Sequence, residues 1–155
     1  MSNHVQRSVV EAFYRALSIR NMAALSDYLD DNVHWTISGP VDILPFCGQR
    51  VGKAVVMEML VRDSPALLTG RRFVPSAMLV DGDRAAVLGK LTATKRDSGQ
   101  AISYRIAQFM RFRDDKVAEY VSIIDSFDAV EQLLGYSLDV SDGRSPAAEG
   151  NLVAV

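Results

Sequence analysis

The sequence has 155 residues, of which 48% are apolar and 23% are charged, and its formal net charge is −2. Such values are typical of a water-soluble globular domain that buries its own core. The small negative charge gives no basis for binding nucleic acid or an anionic membrane surface. No apolar stretch approaches the roughly 18 residues of a membrane span, and the first residues lack the apolar segment of a secretory signal. We therefore expect a cytoplasmic protein.

The first part of the chain predicts three helices and one strand. Apolar residues recur at helical spacing across residues 5–18, and Asn21 is a suitable N-cap for a second, short helix. Strict alternation of apolar and polar residues over 33–38 predicts a half-buried strand. An apolar loop through Phe46 then precedes a third helix over residues 52–62, which Ser64 and Pro65 are expected to end.

The second part of the chain predicts antiparallel strands over residues 72–80, 84–96, 101–113 and 117–124, after a turn at Gly70. A closing helix is expected to stop at Gly135. Residues 136–155 lack periodicity and are predicted to form a flexible tail behind a single domain over 1–135. Helices gathered on one face of an antiparallel sheet predict an α+β fold.

Three stretches carry a resemblance to a known family: YLDDNVHWTISGP (28–40), ILPFCGQRVGKAVV (43–56) and FMRFRDDKVAEYVSIID (109–125). Their acidic pair, strand tryptophan, Gly-Pro turn and L-P-F-x-G motif resemble the SnoaL-like, ketosteroid-isomerase-like family of the nuclear-transport-factor-two-like superfamily. The resemblance implies a cone-shaped, curved mixed β-sheet wrapped around three N-terminal helices, which is the cystatin-like α+β roll. It also implies a deep apolar cavity and a homodimer.

The same resemblance shows that the catalytic signatures of the family are incomplete. The isomerase tyrosine position falls on Phe13, the base position on Ile37 and the protonated acid position on Gln108. Neither Phe nor Ile can move a proton, and an amide can donate a hydrogen bond but transfers no proton. The polyketide cyclase acid position holds Ser122, and Arg105 lacks the acid that follows the arginine of the epoxide hydrolases.

Strand parity and the resemblance together predict the residues that bind a ligand. Side chains of the same parity share one face of a strand, and the apolar set should face inward. Gln108 is the polar exception in such a row, so its amide should bond either to protein or to ligand. The predicted ligand-binding residues are Trp35, Ile37, Gln108, Met110, Tyr120 and Ser122 on strands, Phe13 and Leu17 on the first helix, and Phe46 in the loop.

Three residues are candidates for acid or base chemistry, and each also has a purely structural interpretation. Asp125 is expected to cap the closing helix, Asp42 to lie in a solvated turn, and Tyr14 to lie on the flank of the first helix, unless a small rotation turns its hydroxyl inward. Cys47 is expected to be a small buried thiol rather than a nucleophile. Two distant histidines and one cysteine have no metal-ligand spacing, so neither a metal nor another cofactor is expected.

Two classes of function stay open from the sequence. In the first, the protein binds a small apolar carbonyl compound and catalyses an isomerase- or lyase-like step, with Gln108 and Tyr120 polarising an oxygen. In the second, the same cavity or the outer sheet face gives a non-catalytic ligand-binding or dimeric interaction module. An aspartate, Asp42 or Asp125, within hydrogen-bond reach of the cavity would favour the enzyme, and its absence would favour the binding protein.

Overall fold

The computed structural model of the protein describes residues 4–139. The greater part of the predicted tail, residues 140–155, lies outside the described residues, and its predicted flexibility stays a prediction. The helices are α1 (Arg7–Ser18), α2 (Met22–Asp27), α3 (Lys53–Glu58), α4 (Ser64–Leu67) and α5 (Ser126–Leu134). The strands are β1 (Leu29–Ser38), β2 (Gly48–Val51), β3 (Leu68–Asp81), β4 (Arg84–Lys95), β5 (Ala101–Arg113) and β6 (Lys116–Ile124).

The six strands form one curved, unclosed sheet in the order β2-β1-β6-β5-β4-β3. Strands β1 and β6 are parallel, whereas the other neighbours are antiparallel, so the sheet is mixed. The N-terminal helices pack on its concave face around a core that includes Phe13, Trp35 and Phe112. This architecture confirms the predicted cone-shaped α+β fold. None of the helices among residues 4–139 has the length and apolar character needed to cross a bilayer.

Two helix ends follow from local chemistry that the sequence displays. The side chain of Asn21 accepts a hydrogen bond from the backbone N–H of Ala24, as predicted for an N-cap. Gly135 has a φ of 80°, the left-handed conformation that commonly ends a helix, and α5 stops there as predicted. The predicted end of the third helix is wrong, because a π-helical turn, Met59–Asp63, joins α3 to α4 and carries the helical chain past Pro65 to Leu67.

Two further predictions need correction, and both concern strands of the sheet. Residues Gly48–Val51, predicted as loop, form β2 and pair with β1, where Trp35 faces Arg50 and Ile37 faces Gly48. Gly70, predicted as a turn before a strand, lies inside β3 with a φ of 57°. The β3–β4 register shifts between Thr69 and Arg72, so the chain bulges here rather than turning.

Candidate functional site

A cavity of about 60 Å³ lies between the concave face of the sheet and the helices. A single water needs roughly 10–15 Å³ by the same measure, so the space suits a small organic group. The walls are mostly apolar, and the polar members of the lining come from the strands, from the end of α1 and from α4. Those polar and amphipathic members are Ser18, Arg20, Trp35, Ser64, Arg71, Tyr104, Gln108, Tyr120 and Ser122.

The register of three strands brings the central side chains together. On the parallel pair, Trp35 of β1 faces Tyr120 of β6, and the two rings stack with centroids 3.6 Å apart and planes 11° apart. One row further along, Ile37 faces Ser122, and Ser122 in turn faces Gln108 of β5. Alternation of side chains along each strand directs both rows to the concave face.

A buried hydrogen-bond chain crosses this face from α1 to β6. The hydroxyl of Tyr14 donates to Oε1 of Gln108 over 2.5 Å, and Nε2 of Gln108 donates to the hydroxyl oxygen of Tyr120. The amide is therefore satisfied on both sides. Since the oxygen of Tyr120 accepts from Gln108, its own proton is left to donate to another acceptor at the cavity wall.

The electrostatics of the site keep its tyrosines protonated. Burial raises the pKa of Tyr14, and the neighbouring Tyr120 adds to the rise. Burial also raises the pKa of Tyr120, although hydrogen bonding from Ser122 and Gln108 and the charge of Arg71 oppose the change. Burial raises the pKa of Tyr104 to about 12, although the charge of Arg71 opposes this. At neutral pH these hydroxyls are hydrogen-bond donors rather than bases.

Arg71 is the functional candidate that the sequence analysis missed. It lies at the bulge in β3, and its Nη1 donates to the hydroxyl of Ser64, a fully buried serine. Its guanidinium carbon lies 5.8 Å from the centre of the Phe46 ring, a cation–π distance. The Gly-Arg-Arg sequence before an apolar strand was the available signal, but only the bulge decides which arginine turns inward.

Seven of the nine predicted ligand-binding residues line the cavity: Leu17, Trp35, Ile37, Phe46, Gln108, Tyr120 and Ser122. Ligand contact by these residues stays a prediction. The lining includes neither Phe13 nor Met110. Phe13 is fully buried in the core, where its ring packs edge-on against Tyr14, and Met110 lies beneath the Tyr14 hydroxyl, with its sulfur 3.9 Å away.

The candidate acids and bases lie away from the cavity lining. Asp42 is exposed in the loop after β1, and Asp125 forms an ion pair with the exposed Arg105 at 3.4 Å. Asp125 precedes α5 as predicted, but its side chain makes no capping bond. The prediction that Tyr14 lies on the helix flank is wrong: its side chain is buried, because Val10, Phe13, Tyr14 and Leu17 share one face of α1.

Cys47 is a buried free thiol, as predicted. Burial raises its pKa to about 11, and the nearby positive charge of Arg50 only partly opposes this rise. A thiol with a raised pKa is a poor nucleophile at neutral pH. Among residues 4–139 there is also no cluster of three or more His, Cys, Asp or Glu side chains able to hold a metal ion.

Comparison with known proteins identifies the family. The model of the SnoaL-like domain matches residues 10–120, which include most of α1, all of α2 to α4, and all six strands except the end of the last. The chain belongs to the SnoaL-like family. No protein with a curated function matches the sequence.

Solved structures agree with this SnoaL-like assignment. A protein from Rhodopseudomonas palustris, called an isomerase on a provisional basis, is 34% identical, with a TM-score of 0.72 over 81% of this chain and 93% of its own. An NTF2-like protein of unknown function from Burkholderia pseudomallei is 21% identical, with a TM-score of 0.75 over 86% and 98%. A protein from Shewanella denitrificans, provisionally called a SnoaL-like polyketide cyclase, is 15% identical, with a TM-score of 0.71 over 83% and 96%. The Burkholderia and Shewanella proteins are similar to this chain in fold alone.

In this SnoaL-like protein the cavity lining is rich in donors and lacks ordinary bases. No Asp, Glu or His belongs to the lining among the described residues. Ile37 and Gln108 lie on the cavity wall at the positions where the resemblance expects the isomerase base and acid. The site can therefore hold and polarise an oxygen atom, but its own side chains offer no carboxylate or imidazole to remove a proton.

Proposed function

We propose that this SnoaL-like protein binds a small, mostly apolar molecule in its cavity through an oxygen atom of that molecule. The observation that carries the proposal is the composition of the lining: apolar walls, converging hydrogen-bond donors and no carboxylate or imidazole among the described residues. Tyr120 donates to the ligand oxygen, and the chain from Tyr14 through Gln108 orients that donor. The pocket thus acts as a binding site for an apolar carbonyl compound.

Cyclohexyl methyl ketone is a suitable probe, because it combines an apolar ring with one carbonyl oxygen. Isothermal titration calorimetry should give saturable binding to the wild-type protein. Ile37→Phe fills the cavity and should abolish binding, whereas Thr36→Phe, on the opposite face of the same strand, should leave it unchanged. Absence of saturable binding, or equal binding by both variants, would contradict the proposal.

A second candidate function is an isomerase- or lyase-like step on the bound carbonyl compound. The 34% identity to the Rhodopseudomonas palustris protein favours it, and donors aimed at a carbonyl oxygen stabilise an enolate. Proton removal would then use water as the base, because the lining offers no carboxylate or imidazole among residues 4–139.

Deuterium exchange separates the enzyme from the binding protein. In D₂O, the hydrogens beside the carbonyl of cyclohexyl methyl ketone exchange slowly, and ¹H NMR follows their loss. Exchange that is faster with the protein than in buffer, and slower in Tyr120→Phe, would establish catalysis. Saturable binding without accelerated exchange would leave ligand binding as the function.

We also propose that two copies associate through the convex face of the sheet. Neighbouring outward side chains there are apolar and exposed: Leu88, Phe109, Val121 and Ile123. Phe109 faces Val121 across β5 and β6, so the patch is continuous and can meet its own copy about a two-fold axis. Sedimentation velocity should show a dimer that Phe109→Asp dissociates. Phe127→Asp, on α5 and equally exposed, is the matched control and should stay dimeric.

A further inference from the structure

The cavity contains a positive charge without a protein counter-charge. Arg71 is a member of the lining, and none of the ion pairs among residues 4–139 involves it. The ionisable groups close enough to influence it are Tyr104, Tyr120 and a second cation, Arg20. Burial lowers the pKa of Arg71, yet an arginine stays charged in proteins. This partly buried charge therefore lacks, among the described residues, the neutralising carboxylate that a cation shielded from water normally has.

Two hydrogen-bond donors at the cavity also lack acceptors. Nε of Arg71 and Nε1 of Trp35 are shielded from solvent, and neither has an acceptor among the described residues. Both side chains line the same cavity. Buried donors without acceptors destabilise a folded protein, so their retention points to acceptors that arrive with a ligand. Arginine presents a planar fork of donors that matches the two oxygens of a carboxylate.

The surroundings of Arg71 hold it in a fixed position. The bulge at Gly70 places Arg71 on the inner side of β3, while Arg72 is exposed on the outer side. The Ser64 hydroxyl accepts from Nη1, and the Phe46 ring lies beside the guanidinium. A cation fixed at an apolar wall is an anchor for an amphipathic anion rather than for a fully hydrated one.

We infer that the natural ligand carries a carboxylate, which binds Arg71, and an apolar body, which packs on the walls near Trp35. This assignment rests on the proposed function and narrows it to small apolar carboxylic acids. A ketone acid of this kind would place its carbonyl oxygen at Tyr120 and its carboxylate at Arg71. The carboxylate would also give Nε of Arg71 the acceptor that it lacks.

The wild-type protein alone can test the assignment. Trp35 is the single tryptophan of the chain and lies in the cavity wall, so its fluorescence reports occupancy. Cyclohexanecarboxylate should bind about tenfold or more tightly than cyclohexanecarboxamide, which has the same shape without the charge. Acetate, which has the charge without the apolar body, should bind far more weakly than cyclohexanecarboxylate.

Variants locate the preference for the carboxylate. Arg71→Met should abolish the difference between carboxylate and carboxamide while carboxamide still binds. Arg71→Lys should keep part of the difference, because a cation remains but the planar fork is lost. Arg72→Met replaces the neighbouring arginine, which is exposed, and this variant should bind both probes like the wild type. Far-ultraviolet circular dichroism verifies that each variant folds. If Arg71→Met does not fold, the affinities of the wild-type protein for carboxylate and carboxamide still test the assignment.

The outcomes separate the two proposals. Equal affinity of the wild type for carboxylate and carboxamide would overturn the anion assignment and leave ligand binding intact. Acetate binding as tightly as cyclohexanecarboxylate would also overturn it, since the apolar walls would then contribute nothing. A preference for carboxylate that survives in Arg71→Met would place the anion elsewhere and overturn the role of Arg71. Failure of the carboxylate, the carboxamide and the methyl ketone to bind would overturn both proposals.

Discussion

The two faces of β5 differ in environment, and each carries one side chain that its environment would not suggest. On the concave face Tyr104, Ile106, Gln108, Met110 and Phe112 are all buried, and on the convex face the large apolar Phe109 is 53% exposed. A buried amide thus stands on the face that packs against the helices, and an exposed aromatic ring stands on the other. Hydrophobicity at a single position did not decide which side became the core.

The two faces of the sheet place different demands on polar side chains. Curvature of the sheet brings one face over the helices and leaves the other open to solvent or to a second copy. On the enclosed face every polar group needs a partner, and Gln108 finds two in Tyr14 and Tyr120. On the open face polar and apolar groups alike are tolerated, so substitutions there should matter less.

The largest effect should come from a matched pair of phenylalanines on β5. Phe112 is 1% exposed and Phe109 is 53% exposed. Phe112→Ala should lower the free energy of unfolding by about 3–5 kcal/mol, because it leaves a cavity in the core. Phe109→Ala should change it by less than about 1 kcal/mol in the dilute monomer. Urea unfolding at low protein concentration measures both, and equal losses would contradict the contrast between the faces.

A smaller loss is expected from the buried amide. Gln108→Leu leaves the hydroxyls of Tyr14 and Tyr120 without this partner, so the free energy of unfolding should fall by about 2–4 kcal/mol. Combining it with Tyr14→Phe and Tyr120→Phe should recover part of the loss, because the two tyrosine hydroxyls that lost the amide are then removed as well. Arg105→Gln, on the convex face, should cost less than about 0.5 kcal/mol. A Gln108→Leu variant as stable as the wild type would refute the network.

The smallest expected effect is a loss of folding stability at alkaline pH that depends on Cys47. Burial raises the pKa of the Cys47 thiol from 9.0 to about 11, so the unfolded chain loses this proton at a lower pH than the folded protein does. The stabilisation is therefore complete below about pH 9 and is lost as pH rises towards 11. Between pH 7.5 and 10.5, Cys47→Ala should lose up to about 2 kcal/mol less stability than the wild type. Urea unfolding under reducing conditions measures both proteins. Equal losses of stability by the wild type and by Cys47→Ala over this pH range would contradict the prediction.

Local sequence patterns predicted much of the fold. Alternation in residues 33–38 and 101–113 predicted which side chains share a face, and parity with the family resemblance predicted that Trp35, Gln108 and Tyr120 line one cavity. The Asn21 cap and the Gly135 stop were visible because their chemistry involves only adjacent residues. Strand β2 was not visible, since four residues without strong alternation become a strand only by pairing with β1.

Sequence patterns were enough to predict the period of the longer helices and strands, the inward row of the late strands and the absence of the expected acid and base from the isomerase positions. The folded structure was needed to show that Tyr14 turns towards Gln108 and that Arg71, not Arg72, lines the cavity. Both outcomes depend on contacts between residues far apart in the chain: the packing of α1 on β5, and a register shift between β3 and β4. Such contacts have no local sequence signature, because they join residues that only the folded chain brings close together.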